Sequence, residues 1–228
     1  MTPRAITAAL LGLALVGLVP PTLGQSLPDD VSLPSAIPIF PLQDVMLFPG
    51  ASRPLHIFEQ RYREMVADAL KGDRIIGMVM LRPGYEDDYA GNPPIYDVGC
   101  AGVISNVERM PDGRYNIVLQ GLARFRIASE DQSRSYRVAK IDALDDALND
   151  ADRDVLRGHR PLLLELLSFV APGQTPTPDE LPDEILVNGL AQFLGIEPNS
   201  RLDLLQQDGP LARAEALMAL LDQGSLSR

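Results

Sequence analysis

Ile37-Pro-Ile-Phe-Pro-Leu-Gln-Asp-Val-Met-Leu-Phe-Pro-Gly50 runs, after Ala51 and Ser52, into Arg53-Pro-Leu-His-Ile-Phe-Glu-Gln-Arg-Tyr62. These 26 residues decide the fold. Ile37 to Phe40 is apolar and short, the mark of a strand, and its proline places it at a sheet edge or a strand start. Phe48-Pro-Gly50 supplies a turn, and Arg53 to Phe58 the next strand. Beyond it Tyr62, Met65, Val66, Ala69 and Leu70 recur at helical spacing, and Gly72 is expected to take the left-handed conformation that ends the helix.

Reading outward, β signals continue to about Asp145. Arg74 to Leu81 is apolar on both faces and predicts a central strand. Arg82 to Pro94 collects turn residues, charges and two tyrosines, the composition of an exposed loop. Tyr96 to Met110 predicts a long strand, with Gly99 and Gly102 as places for a bulge. Pro111-Asp-Gly113 makes a hairpin turn, after which Tyr115, Ile117 and Leu119 alternate with outward neighbours. Ala123, Phe125 and Ile127 then face one way and Arg124 and Arg126 the other, and Tyr136 to Leu144 is the last strand. About six short strands with one early helix predict a small barrel closed on itself, because closure removes sheet edges.

From Asp145 the pattern turns acidic and then helical. Leu162 to Val170 is strongly apolar, with Pro161 starting or kinking that segment. Ala171 to Pro178 reads as a linker. Asp179 to Leu194 predicts a helix, Asn199 or Ser200 caps a short one, and Pro210 opens the last. The expected organisation is 36–145 as the strand domain and 146–228 as a helical subdomain. Before them, Arg4, the uncharged run Ala5 to Val19 and Thr22-Leu-Gly24 have the order of a signal peptide over 1–24. Residues 25–35 then form a flexible leader. The chain is accordingly expected to be exported, periplasmic or secreted, with no membrane span in its mature part; residence in the cytoplasm is the alternative if that segment is no signal.

Three stretches together resemble the Lon protease N-terminal domain, the substrate-binding module of those enzymes. They are the opening run, Val98-Gly-Cys-Ala-Gly-Val-Ile-Ser-Asn-Val-Glu-Arg-Met-Pro-Asp-Gly-Arg-Tyr115, and Gln120-Gly-Leu-Ala-Arg-Phe-Arg-Ile127. The resemblance covers roughly Ile37 to Leu144 and implies an α+β fold, a PUA-like β-barrel followed by a helical bundle. It further implies a module that grips other polypeptides, since the 228 residues hold no Gly-x-x-x-x-Gly-Lys-Ser/Thr phosphate loop. The serine–lysine pair of the Lon protease part has no counterpart either, as no lysine follows Lys140.

Charge and composition narrow the choice. With 20 basic and 31 acidic side chains the chain carries −11, the wrong sign for a nucleic-acid face. Cys100 stands alone, which excludes an internal disulfide, and a catalytic thiolate would need His56 or His159 as its base. Glu59 with Arg61 and Arg63 reads as a surface pair at a helix start. Glu86-Asp-Asp88 with Asn92 lacks the spacing of a calcium loop, and the same holds for Asp142, Asp145, Asp146, Asn149 and Asp150. Arg124 and Arg126 are expected to lie outside the barrel and pair with the helical half. No cofactor or metal is called for. The reading is a non-enzymatic module for unfolded or extended protein segments, with Phe48, Pro49, Tyr85, Tyr89 and Tyr96 as the groups that would hold them. A carboxylate- or metal-dependent hydrolase and a structural part of an envelope complex stay open as alternatives.

Overall fold

The computed structural model describes residues 32–85, 91–170 and 181–222. Within them lie β1 (Ala36–Leu42), β2 (Ser52–Ile57), α1 (Gln60–Ala69), β3 (Ile75–Leu81), β4 (Ile95–Arg109), β5 (Tyr115–Asp131) and β6 (Arg137–Ala143), then α2 (Asp150–Val170), α3 (Asp183–Phe193), α4 (Pro198–Gln206) and α5 (Gly209–Asp222). The six strands form one mixed sheet in the order β2-β5-β4-β3-β1-β6, and β5 also pairs with β6. Five strands therefore close into a ring, while β2 hangs from β5 alone. The fold is α+β.

β1 is not an edge strand, contrary to the sequence expectation. It pairs in parallel with β3 and antiparallel with β6. The two ladders are staggered: Ala36 to Ile39 meet β6, and Ile39 to Leu42 meet β3. Pro38 and Pro41 thus each lie in one ladder only, so an interior strand accommodates two residues that lack an N–H. The true edge is β2, with Pro54 at its middle.

Alternation along the strands separates two cores. Ile37, Ile39, Val79, Ala101, Phe125 and Ala139 fill the inside of the ring. The other faces of the same strands join α1 and the helices in a larger cluster that includes Met78, Cys100, Leu156, Leu186 and Leu217. Gly99 borders a register shift against β3, where Val79 faces Gly99 but Leu81 faces Ile95, and a Cβ there would lie 2.4 Å from the Met78 carbonyl oxygen and 2.8 Å from the Phe125 ring. Gly102 sits at a register shift against β5. Tyr62, Met65, Val66 and Ala69 form the buried face of α1, as their spacing predicts.

The left-handed residue after α1 is Arg74 (φ 61°), not Gly72. Its N–H donates to the Ala69 carbonyl, and its own carbonyl accepts from Ile104 N–H at the start of the sheet. The reversal into β3 is therefore made at the last residue before the strand, and Arg74 takes a conformation uncommon outside glycine. At α4 the helix opens on Pro198, with Glu197 as the flanking residue, so Asn199 and Ser200 lie inside the first turn. Pro161 lies within α2 as an internal proline.

Candidate functional site

The helices are fastened to the ring by the diagnostic turn itself. Phe48 is 0% exposed and Pro49 is buried. The Phe48 N–H donates to Gln192 Oε1 (3.0 Å), and the Pro49 carbonyl accepts from Asn188 Nδ2 (3.0 Å). Gln192 Nε2 also donates to the Ser52 carbonyl (3.0 Å), so two amide side chains of α3 occupy the backbone groups of the turn. Gly121 on β5 permits the approach: a Cβ there would stand 2.1 Å from the Phe48 carbonyl oxygen. Phe48 and Pro49 are thus joints between the halves, unavailable to a ligand, because apolar burial and satisfied backbone groups hold them inside.

A buried charge cluster completes this seam. Arg124, 2% exposed, donates through Nε to both Asp146 carboxylate oxygens (3.0 Å each) and through Nη1 to the Leu205 and Gln207 carbonyls of the helical half (2.9 and 2.7 Å). Arg213, wholly enclosed, reaches Asn188 Oδ1, the Leu204 carbonyl and Asp146. Burial, first among its influences, holds the Arg213 guanidinium below its ordinary value. The same surroundings push the Cys100 thiol far up, chiefly by burial, so it stays protonated and inert. Arg124 does pair with the helical half, whereas Arg126 points to solvent and meets Asp97 (2.6 Å).

Beside the seam the junction opens. A cleft of about 270 Å³ lies between the end of β3 and the first turn of α4, lined by Gln43, Asp44, Met80, Leu81, Arg82, Pro83, Tyr85, Pro93, Pro198 and Asn199. The chain builds it with rigid pieces. Arg82 N–H donates to the Pro94 carbonyl (2.9 Å), and Arg82 Nε to that of Ile95 (3.1 Å), which pins the two ends of the loop together. The Arg82 guanidinium stacks over the Tyr96 ring at 4.5 Å from its centroid. Tyr85, 47% exposed, stands at the mouth. Of the sequence candidates, Tyr85 lines the cleft, Tyr96 supports it through Arg82, and Tyr89 lies outside the described residues, as do Glu86 to Asp88.

Among its described lining residues the cleft holds one carboxylate, two amides, one guanidinium and one phenol, set among prolines and Met80. That set donates and accepts hydrogen bonds around an apolar floor; it contains no nucleophile beside a base. Both histidines lie elsewhere. His56 on β2 hydrogen-bonds Asn116 Oδ1 through Nδ1 (2.7 Å), next to the exposed Phe58, and His159 belongs to α2. Arg61 pairs with Glu59 at 3.0 Å, as read from the sequence. Among the described residues no cluster of three His, Cys, Asp or Glu side chains gathers to hold a metal, and no helix is long and apolar enough to cross a membrane. Asp44, Met80, Pro83 and Pro198 were not singled out as site residues by the sequence, and Asn199 was read only as a helix cap. The prolines carried a signal as turn residues; the convergence of all five depends on how α4 docks.

With this geometry in place, the comparisons agree with one another. The model of the ATP-dependent protease La (LON) substrate-binding domain matches residues 36–223. A Lon protease of Cytophaga hutchinsonii is 29% identical over 210 residues, covering 86% of this chain and 25% of that protein. Lon protease 2 of Myxococcus xanthus is 33% identical over 123 residues, which is 54% of this chain and 15% of that one. The chain thus spans a quarter or less of the length of these curated relatives. Among solved structures, the Lon N-terminal domain protein from Xanthomonas campestris superposes with a TM-score of 0.60 at 26% identity, over 81% of this chain and 97% of that one. The N-terminal domain of Mycobacterium avium complex Lon protease does so at 0.63 and 15% identity, over 82% and 98%, a likeness of fold alone.

Proposed function

The chain belongs to the LON substrate-binding domain family, and from that premise we propose that it is a non-enzymatic module whose β3–α4 cleft receives extended segments of other polypeptides. The observation that carries the reading is the lining of the cleft: an exposed tyrosine over prolines and a methionine, with a few polar groups at its rim. Grooves that set apolar anchors among polar groups take a peptide through a small number of side chains, and tyrosine is among the residues that contribute most when truncated. The matched region corresponds to the substrate-binding part of the relatives, which supports recognition rather than bond cleavage as the role.

In this reading the partner is an unfolded or extended protein segment, and the net charge of −11 turns nucleic acid away. Export follows from the order of charge, apolar run and small residues in 1–24. The test uses fluorescently labelled, permanently unfolded model polypeptides titrated with the purified protein. Binding in the micromolar range is expected, and Tyr85→Ala is expected to weaken it at least about tenfold. No binding by any of them, or equal binding by the variant, overturns the assignment to this cleft.

A further inference from the structure

We infer that Asp44 selects the polypeptide segments received by the β3–α4 cleft, favouring those that carry a lysine or arginine beside their apolar anchors. The inference rests on the cleft reading above and adds to it the charge of the ligand. Asp44 lines the cleft, and the chain on both sides sets its place there. β1 ends at Leu42, which is paired with Met80 of β3, another lining residue. Beyond Val45 the chain is buried at Met46, Leu47 and Phe48. Gln43 and Asp44 are thus the exposed part of a short link between a strand end and the core, held at the rim by fixed residues before and after them.

The carboxylate is open to a ligand. Among the described residues Asp44 accepts no hydrogen bond and joins no ion pair. Two cations on the neighbouring elements are committed elsewhere. Arg82, which lines the cleft just past β3, donates through Nε to the Ile95 carbonyl (3.1 Å) and lies over the Tyr96 ring at 4.5 Å. Arg201, on α4 after Pro198 and Asn199, donates through Nε and Nη2 to the Ala191 and Leu194 carbonyls (3.3 and 2.8 Å), at the C-terminal end of α3. The rim therefore presents a solvated negative charge among the same residues as Tyr85, Pro83 and Met80. A lysine or arginine of the ligand would donate to Asp44 while its stem lies along that apolar surface. Such an exposed pair adds modestly to affinity and more to discrimination, because a like charge at the same place is repelled. The whole molecule works in the same direction: 31 acidic against 20 basic side chains draw cationic polypeptides in and oppose acidic ones.

The test takes one labelled, unstructured peptide with a tyrosine and leucines at its centre and both ends blocked, in three forms that carry Lys, Gln or Glu on each side of that centre. Each is titrated by fluorescence anisotropy into the wild-type protein, Asp44→Asn and Asp142→Asn. At about 0.02 M salt the Lys form is expected to bind the wild type about fivefold tighter than the Gln form, and the Glu form more weakly than either; both differences shrink at about 0.5 M salt. Asp44→Asn is expected to remove most of the Lys preference, and it breaks no hydrogen bond among the described residues. Asp142→Asn removes an equal charge from the exposed end of β6, outside the cleft lining, and is expected to leave the preference in place. Equal binding of the three forms by the wild type, or tightest binding of the Glu form, overturns selection by Asp44 while leaving the cleft reading intact, and needs no variant to fold. So does a Lys preference that survives Asp44→Asn, or one that Asp142→Asn reduces as much. Failure of every form to bind overturns both.

Discussion

The seam and the cleft are made by the same elements and treat their polar groups in opposite ways. At the seam these strong donors and acceptors are answered: the Phe48 N–H by Gln192, the Pro49 carbonyl by the Asn188 amide N–H, and two buried guanidiniums by Asp146 and the carbonyls of the α4 region. At the cleft an aromatic ring stands half in solvent, and Gln43 and Asp44 are exposed beside it. Satisfied networks fix one arrangement, whereas unsatisfied ones are where a folded protein still has binding energy to gain. The difference teaches where to look for function in a chain whose most recognisable motif lies on the wrong side of that division. The motif is a joint.

The sharpest way to break the comparison is to attack the seam. Asp146→Ala strands Arg124 and Arg213 together, 2% and 0% exposed, and is expected to destabilise the protein by about 3 kcal/mol or more in denaturant titration. Gln192→Ala leaves the Phe48 N–H and the Ser52 carbonyl unanswered, for a loss of about 2 kcal/mol. At the cleft the expectation reverses. Tyr85→Ala should change stability by less than about 0.5 kcal/mol, because nearly half of its surface is already in water, while peptide affinity falls. A cleft variant that unfolds the protein, or a seam variant that leaves stability untouched and removes binding, would dissolve the distinction.

The smallest effect belongs to a site away from both. Lys71 Nζ and Tyr136 Oη donate to Asp68 (2.8 Å each), and these hydrogen bonds, Lys71 first, hold its carboxyl below the usual range. A depressed folded-state value contributes stability above the unfolded value of about 3.9 and loses it as pH falls through the folded one. Asp68→Asn should therefore lower stability slightly above about pH 4, since the group is largely in solvent, and converge with the wild type as the pH falls through the acid limb.

Local chemistry made most of the fold legible. The α1 stripe, the doubly buried β3 and the Pro111-Asp-Gly113 turn each depend on residues close in sequence, and each is where its pattern puts it. Sheet order is not local: Pro38 argued for an edge or a strand start, and only the staggered ladders of β1 explain how an interior strand carries it and Pro41. The site divides in the same way. The exposure of Tyr85 was readable because it sits in a loop rich in turn residues. Phe48 and Pro49 misled because an apolar turn reads alike in a core and on a surface, and their burial depends on Gln192, 144 residues away from Phe48. Asp44 carries no site signal in the sequence and Asn199 only that of a helix cap, since what brings them to the cleft is the helix set against the sheet.

The most direct test of the account is an amide shift map, recorded by NMR on the isotopically labelled protein as an unfolded peptide is added. Shifts are predicted to concentrate at Asp44, Arg82, Tyr85 and Asn199, with the seam amides of Phe48 and Gly50 unmoved. Shifts centred instead on the exposed β2 face around His56 and Phe58, or an unchanged spectrum at saturating peptide, would contradict it.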